Sequence, residues 1–287
     1  MKRPETQIIT AISGHNKQQG FTLIELSIVL VIIGLIVGGV LVGQDLIKAA
    51  QVRAAISQIE KYDSAVNTFR TKYNGLPGDL NNATNFFPTA TDNPVLATCT
   101  KYNPGNNVFD DCATGAGGAT LSGEPAAFWH HLYLSSLIGD AMTDNKLIGG
   151  AALAAPGSIA NAFPASKVGS GNYVMAYTGN TALVEPGMAG TNLYRIAGIA
   201  SFTAGGAPTF TNSLTPLEAF AIDSKKDDGI PNTGVVQATD ATAAANFNVA
   251  ADTTTVAAGN CVAVAGAYNT AAQPNSRLCQ VVMRTSF

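Results

Sequence analysis

Few residues in this chain have the types and spacing that chemistry needs. Of its three histidines, His15 lies near the N-terminus, and His130 and His131 are adjacent. On a helix two neighbours project about 100° apart, and neither has a ligand-type partner one turn away. The pair therefore reads as structural, as does Trp129 beside it. No Gly-x-Ser-x-Gly nucleophile motif occurs, and Gly115-Ala116-Gly117-Gly118 lacks the Lys-Ser/Thr ending and the preceding strand of a phosphate loop. The one cluster with ligand potential is Asp223, Asp227 and Asp228, with Asn232 close behind. Calcium takes about six to eight oxygens, which such a loop could supply. The spacing is not that of an EF-hand, and Lys225 and Lys226 offset part of the charge. A solvated turn that ends a helix is the preferred reading and calcium the alternative. No other cofactor is expected, and the chain does not read as an enzyme.

The four cysteines fall into two sequence-local groups, Cys99 with Cys112 and Cys261 with Cys279. Four cysteines allow three connectivities, of which the local pairing is preferred. Neither pair has zinc-ligand spacing. Stable disulfides require an oxidising compartment.

Everything else must be arranged around residues 21–43, FTLIELSIVLVIIGLIVGGVLVG. The run contains one ionisable side chain, Glu25, and no proline. As a helix it would span roughly 34 Å, enough for a hydrocarbon core of about 30 Å. A carboxylate there costs on the order of 2.5–3.5 kcal/mol and normally has a partner or a function. Glu25 lies near the helix N-terminus, where the macrodipole favours negative charge. Gly20 precedes the apolar run, whereas a secretory signal places its small-residue cleavage site after a shorter one. Lys2, Arg3 and Lys17 favour a cytoplasmic N-terminus. Gly34, Gly38, Gly39 and Gly43 have small-xxx-small spacing, which suits close helix approach, and glycine is also common in membrane helices generally.

Gly20-Phe21-Thr22-Leu23-Ile24-Glu25 followed by an apolar run resembles the N-terminus of type IV prepilins and type II secretion pseudopilins. The resemblance implies removal of residues 1–20 by a prepilin peptidase and N-methylation of Phe21. It implies assembly with other pilin or pseudopilin subunits on an inner-membrane platform. It also implies that Glu25 meets the Phe21 amine of a neighbouring subunit. Further along, YNGLPGDLNNAT, FWHHLYLSSLI, NYVMAY and LTPLEAFAIDSKKDDGIPNTGVV, with the late cysteine pair, resemble a large-headed bacterial prepilin-like subgroup of uncharacterised function.

The expected organisation is a leader (1–20), a membrane or filament-core helix (21–43), its amphipathic continuation (44–73) and a head (74–287). The continuation has no proline or glycine, and Val52, Ile56, Ile59, Val66, Phe69 and Tyr73 recur mostly three or four apart, with Asp63 breaking the row. Asn74-Gly75-Leu76-Pro77-Gly78-Asp79 ends the helix, and Asp79 or Asn81 is expected to cap a short turn through Phe87. Residues 88–122 read as a stapled loop, and Pro125 starts a helix to about Leu137. NYVMAYT, NLYRIAGIASF, CVAVAGAY and LCQVVMRTSF read as antiparallel strands. Thr215-Pro216-Leu217-Glu218 is a capping box that opens a helix ending near Asp227. Residues 238–259 read as an exposed loop or weak strand. The fold class is α+β: a long N-terminal helix with an antiparallel sheet packed on its C-terminal half.

The 287 residues carry 16 Lys and Arg against 19 Asp and Glu, a net charge of −3. Loss of the leader would leave about −5, with no electrostatic footprint for nucleic acid. The expected location is the inner membrane, single-pass, then a periplasmic or extracellular filament, with lipid as the partner before assembly. The expected function is a structural subunit, major or minor, of a type IV pilus or type II secretion pseudopilus. The alternative is a tip adhesin or binding module carried on such a filament.

Overall fold

The computed structural model describes residues 22–88, 105–109, 121–143, 153, 156–178, 188, 190–202, 208–211, 213–240, 261–263, 266–271 and 276–287. It contains two compact units that meet between Ile47 and Lys48. Each is taken by itself.

The first unit holds the start of α1, Leu23–Tyr73. Its side chains from Thr22 to Ile47 are exposed, apart from half-buried Gly43. Exposed leucine, isoleucine and valine on every side of a helix have no aqueous explanation, and such a helix is made for lipid or for other helices. α1 is the one helix among the described residues long and apolar enough to cross a membrane.

The second unit is the head, built on the rest of α1. Val52, Ala55, Gln58, Ile59, Tyr62, Ala65, Val66 and Phe69 are buried, with Ile56 and Tyr73 partly buried against the same core. The expected stripe is therefore present but wider. Alanines and Tyr62 join it, with the Tyr62 ring against Trp129 and Tyr194. Asn74, at φ 55°, ends the helix in the left-handed region.

The sheet has five antiparallel strands. These are β1 (Asn172–Thr178), β2 (Asn192–Phe202), β3 (Pro208–Thr211), β4 (Val236–Asp240) and β5 (Cys279–Arg284). Their order is β1-β2-β5-β4, with β3 also paired to β2. Registers such as Val174↔Ile196, Ile196↔Val281 and Ala238↔Val281 put β2 and β5 at its centre. Alternation along β2 sends neighbours to opposite faces. Tyr194 meets Tyr62 and Trp129. Arg195 donates to Gln280 Oε1 at 2.8 Å and stacks on Tyr177 and Phe210.

Four short helices complete the head: α2 (Ala83–Phe86), α3 (Glu124–Leu134), α4 (Pro156–Ala160) and α5 (Pro216–Lys226). In α3, Phe128, Trp129 and Leu132 are buried, and Tyr133 is partly so. Edge-on contacts tie it to its neighbours: Tyr62–Trp129 at 4.8 Å and Phe109–Phe128 at 5.2 Å. Each such pair contributes roughly 0.5–1.5 kcal/mol beyond the area it buries. The C-terminal Phe287 joins this group against Phe128 and Tyr194.

Several expectations are corrected. CVAVAGAY is not a strand: Val262 and Tyr268 form an isolated bridge that closes a tight turn through Gly266 at φ 71°. β5 pairs instead with β2 and with β4, whose last three residues open the segment read as an exposed loop or weak strand. The short β3 was not foreseen. Asp79 does not cap α2, whose N-cap is Asn82 without a side-chain bond. It accepts instead from the backbone N–H of Gly105 and of Asn107, the latter at 2.6 Å. α3 stops at Leu134, short of Leu137, with Ser136 at φ 58°.

Candidate functional site

Gly20 and Phe21 lie outside the described residues, which begin at the helix start they precede. Thr22 is the residue before α1, and Glu25 is in its first turn. The Thr22 backbone N–H donates to Glu25 Oε2 at 2.8 Å, and the Thr22 hydroxyl donates to the same oxygen at 2.7 Å. The Glu25 N–H donates back to Thr22 Oγ1 at 3.3 Å. This is a capping box, in which the carboxylate satisfies a donor that the helix end leaves open. Sequence reasoning gave Glu25 the macrodipole and, by resemblance, the Phe21 amine of a neighbour, and missed Thr22, although the Thr-x-x-Glu spacing is visible in the sequence.

Among the described residues, no close approach within the chain requires the glycines of the apolar run. A Cβ built on Gly34, Gly38, Gly39 or Gly43 would meet nothing within 4 Å.

In the head, the structure does bring Asp223, Asp227 and Asp228 together, with one ligand-capable atom of each within 4.8 Å of the others. α5 positions them. Its capping box is present in both directions, Thr215 Oγ1 accepting from Glu218 N–H and Glu218 Oε2 accepting from Thr215 N–H. The helix runs to Lys226, leaving Asp223 buried inside and Asp228 exposed beyond.

Each carboxylate already has donors of its own. Asp223 accepts from the Tyr268 hydroxyl at 2.8 Å and from Gly229 N–H at 3.2 Å. Asp227 accepts from Val235 N–H and from Val236 N–H, the latter at 3.2 Å. Asp228 accepts from Ile230 N–H at 2.8 Å and from the Thr233 hydroxyl at 2.6 Å. Gly234 at φ 77° lets the chain pass against Asp227, where any Cβ would collide with the carboxylate. The cluster is a clasp that joins the end of α5 to β4.

Burial holds Asp223 up at about 6, with Asp228 and Asp227 adding to the rise and the two hydrogen bonds opposing it. Its partner Tyr268 is pushed up, chiefly by burial and then by Asp223 itself. Asp228 is held below the usual carboxylate range by the Thr233 hydroxyl and the Ile230 amide.

Cys261 and Cys279 are bonded, linking the tight turn at 261–268 to the start of β5. The expected tie between two final strands is thus a tie between a turn and a strand. Cys99 and Cys112 lie outside the described residues. The histidines are structural where their contacts are visible. His130 Nδ1 meets the Met142 carbonyl at 2.8 Å, and His131 Nδ1 accepts from Gly78 N–H at 3.0 Å.

Residues 15–41 match the family model of the prokaryotic N-terminal methylation motif. The match covers the N-terminal segment and supports a class III, prepilin-type signal of the kind carried by type IV pilin-like proteins. No curated protein and no solved structure matches the chain. Chains with this motif are generally structural rather than enzymatic, and the motif implies processing by prepilin peptidase and assembly with other pilins. An apolar N-terminal helix with such a motif is consistent with single-pass membrane anchoring.

Proposed function

We propose that this chain is a filament subunit of a type IV pilus or type II secretion pseudopilus, built in through its N-terminal helix. The observation that carries the reading is the methylation motif on a helix whose apolar side chains are exposed from Leu23 to Ile47. In water that surface is untenable. It is stable in the inner membrane before assembly and among the helices of other subunits afterwards.

In this reading prepilin peptidase cuts between Gly20 and Phe21, and the new amine of Phe21 is methylated. Glu25 then supplies the counter-charge for the Phe21 ammonium of a neighbouring subunit, where a low dielectric strengthens the attraction. The head lies outside the cytoplasm, where the Cys261–Cys279 bond persists. Intact-mass and N-terminal analysis of the membrane-extracted protein tests the reading. The expected start is a methylated Phe21, and Gly20→Trp should leave the full-length precursor. A mature protein starting at Met1, or beyond the apolar run, refutes it.

A further inference from the structure

We propose that Asn74 is a modification site, at which the folded chain deamidates itself and converts Asn74-Gly75 into aspartyl and isoaspartyl linkages. Water is the one co-reactant. The inference goes beyond the subunit reading above and does not depend on it.

The chain has two Asx-Gly pairs, Asn74-Gly75 and Asp228-Gly229. Glycine carries no side chain to shield its backbone nitrogen, so in either pair that nitrogen can attack the carbonyl carbon of the preceding side chain. At Asp228 both reacting groups are held. Gly229 N–H donates to Asp223 Oδ1 at 3.2 Å, and the Asp228 carboxylate accepts from Ile230 N–H at 2.8 Å and the Thr233 hydroxyl at 2.6 Å. At Asn74 neither is held. Among the described residues the Gly75 N–H and the Asn74 carbonyl have no backbone partner, and the Asn74 side chain has no hydrogen bond. Asn74 is exposed, in the left-handed conformation at φ 55°. The peptide between the two residues can therefore swing until its nitrogen meets Asn74 Cγ. The pair lines a polar pocket of about 590 Å³ with Arg70, whose cation favours the negative charge that the attack puts on Asn74 Oδ1. Gly75 itself is required by packing, since a Cβ there would come 2.7 Å from Leu80 Cδ1.

In the step, the Gly75 nitrogen loses its proton and bonds to Asn74 Cγ. The Cγ–Nδ2 bond breaks, and Nδ2 leaves as ammonia with that proton. Water then opens the cyclic imide at either of its carbonyl carbons. Opening at Cγ leaves an aspartate at 74, whereas opening at the main-chain carbonyl leaves Gly75 joined through Cγ. No electrons are transferred. Either product puts a carboxylate at the C-terminal end of α1, where the macrodipole disfavours it. The isoaspartyl form also lengthens the backbone by one atom, just before a segment with no slack. Leu76 is buried, and the Gly78 N–H donates to His131 Nδ1 at 3.0 Å. Gly78, at φ 89°, lies so close to the Glu124 carbonyl that any Cβ would collide with it. Conversion therefore loosens the joint at which the chain leaves α1.

The test incubates the full-length chain at mildly alkaline pH, folded in detergent or unfolded in urea, and maps it by peptide mass with fragment spectra. Peptides spanning position 74 should gain about 1 Da and separate into aspartyl and isoaspartyl forms. Folding should slow conversion at 74 by less than about threefold, but isomerisation at 228 by roughly tenfold or more, the factor that hydrogen bonds to the reacting groups supply. Asn74→Gly keeps the left-handed conformation without a side-chain carbonyl, so it should abolish the mass gain at this position. Amide exchange at Gly78 should quicken in aged wild type and not in aged Asn74→Gly. A folded chain that stays unconverted at 74, or equal slowing by folding at the two sites, overturns the proposal. Exchange at Gly78 that is unchanged by ageing, or that quickens equally in Asn74→Gly, overturns the loosening of the joint.

Discussion

Asp223 makes the head more stable in acid than at neutral pH, by an amount that one substitution isolates. Its carboxyl is buried and held at about 6, against roughly 3.9 in an unfolded chain. The folded state therefore holds this proton more tightly than the unfolded state does. The stability that follows is complete below about pH 4 and lost as the pH rises through about 6, after which it changes no further. Two pH units correspond to about 3 kcal/mol, and screening beside the exposed turn reduces this to the order of 1–3 kcal/mol. The groups facing Asp223 are the Tyr268 hydroxyl, Asp227 and Asp228. Asp228 titrates below the window, and Tyr268, pushed up, titrates above it. Asp223→Asn keeps the shape and removes the proton. The assay is thermal unfolding of the full-length chain in detergent from pH 4 to pH 7, followed by fluorescence of buried Trp129, the only tryptophan. Wild type should lose stability relative to Asp223→Asn between pH 4 and 6, and the gap should be flat above 6.5. A gap that stays constant across the range, or widens in favour of wild type, refutes the burial argument.

Two further changes probe the disulfide and the helix start. Replacing Cys261 and Cys279 together by alanine opens a loop of sequence separation 18, which should cost about 3 kcal/mol in unfolding experiments on the detergent-solubilised chain. An unchanged melting temperature would contradict this. Thr22→Val removes the hydroxyl from the capping box, worth about 1 kcal/mol at such positions. Amide exchange over the first turn of α1 should then quicken by roughly tenfold in micelles, while exchange in the head is unaffected. Equal rates would show that the cap is idle.

What was legible in the sequence was whatever short-range physics decides. The α5 start was readable because a capping box is a local device, four residues long and closed on itself. The long helix was readable because no proline occurs in it and its apolar spacing resumes after Asp63 and runs until Asn74. β4 was legible only in part, as one of two alternatives for the residues from 238 on. Val236-Gln237-Ala238-Thr239-Asp240 has weak strand preference, and its pairing depends on β5, far along the chain. CVAVAGAY misled for the opposite reason. Its alternation suits a strand, but Gly266 turns the chain back so that Cys261 reaches Cys279. Asp79 was read as a local cap, while its donors come from Gly105 and Asn107 across a loop. In each case the deciding partner was distant in sequence.

The N-terminal segment reverses that lesson, because there local physics and the proposed assembly role draw on the same atoms. Glu25 Oε2 is engaged by Thr22 in the single chain, through a backbone N–H and a hydroxyl at once. A carboxylate with two donors is cheaper to place in a membrane than a bare one, since the donors replace part of its lost hydration. An engaged carboxylate is also a less available acceptor for a neighbour's ammonium. Entry into a filament then becomes an exchange, in which a charged partner displaces neutral donors around one carboxylate. The ammonium adds a full Coulombic attraction that the neutral Thr22 donors lack and that a low dielectric strengthens, so in the proposed reading the exchange favours assembly while the free subunit remains tolerable in lipid. Glu25→Gln separates the two roles. It retains an acceptor oxygen for the Thr22 donors and removes the charge, so it should insert and be processed normally yet enter filaments poorly. Normal entry of Glu25→Gln beside wild type would show that the cap alone accounts for the residue.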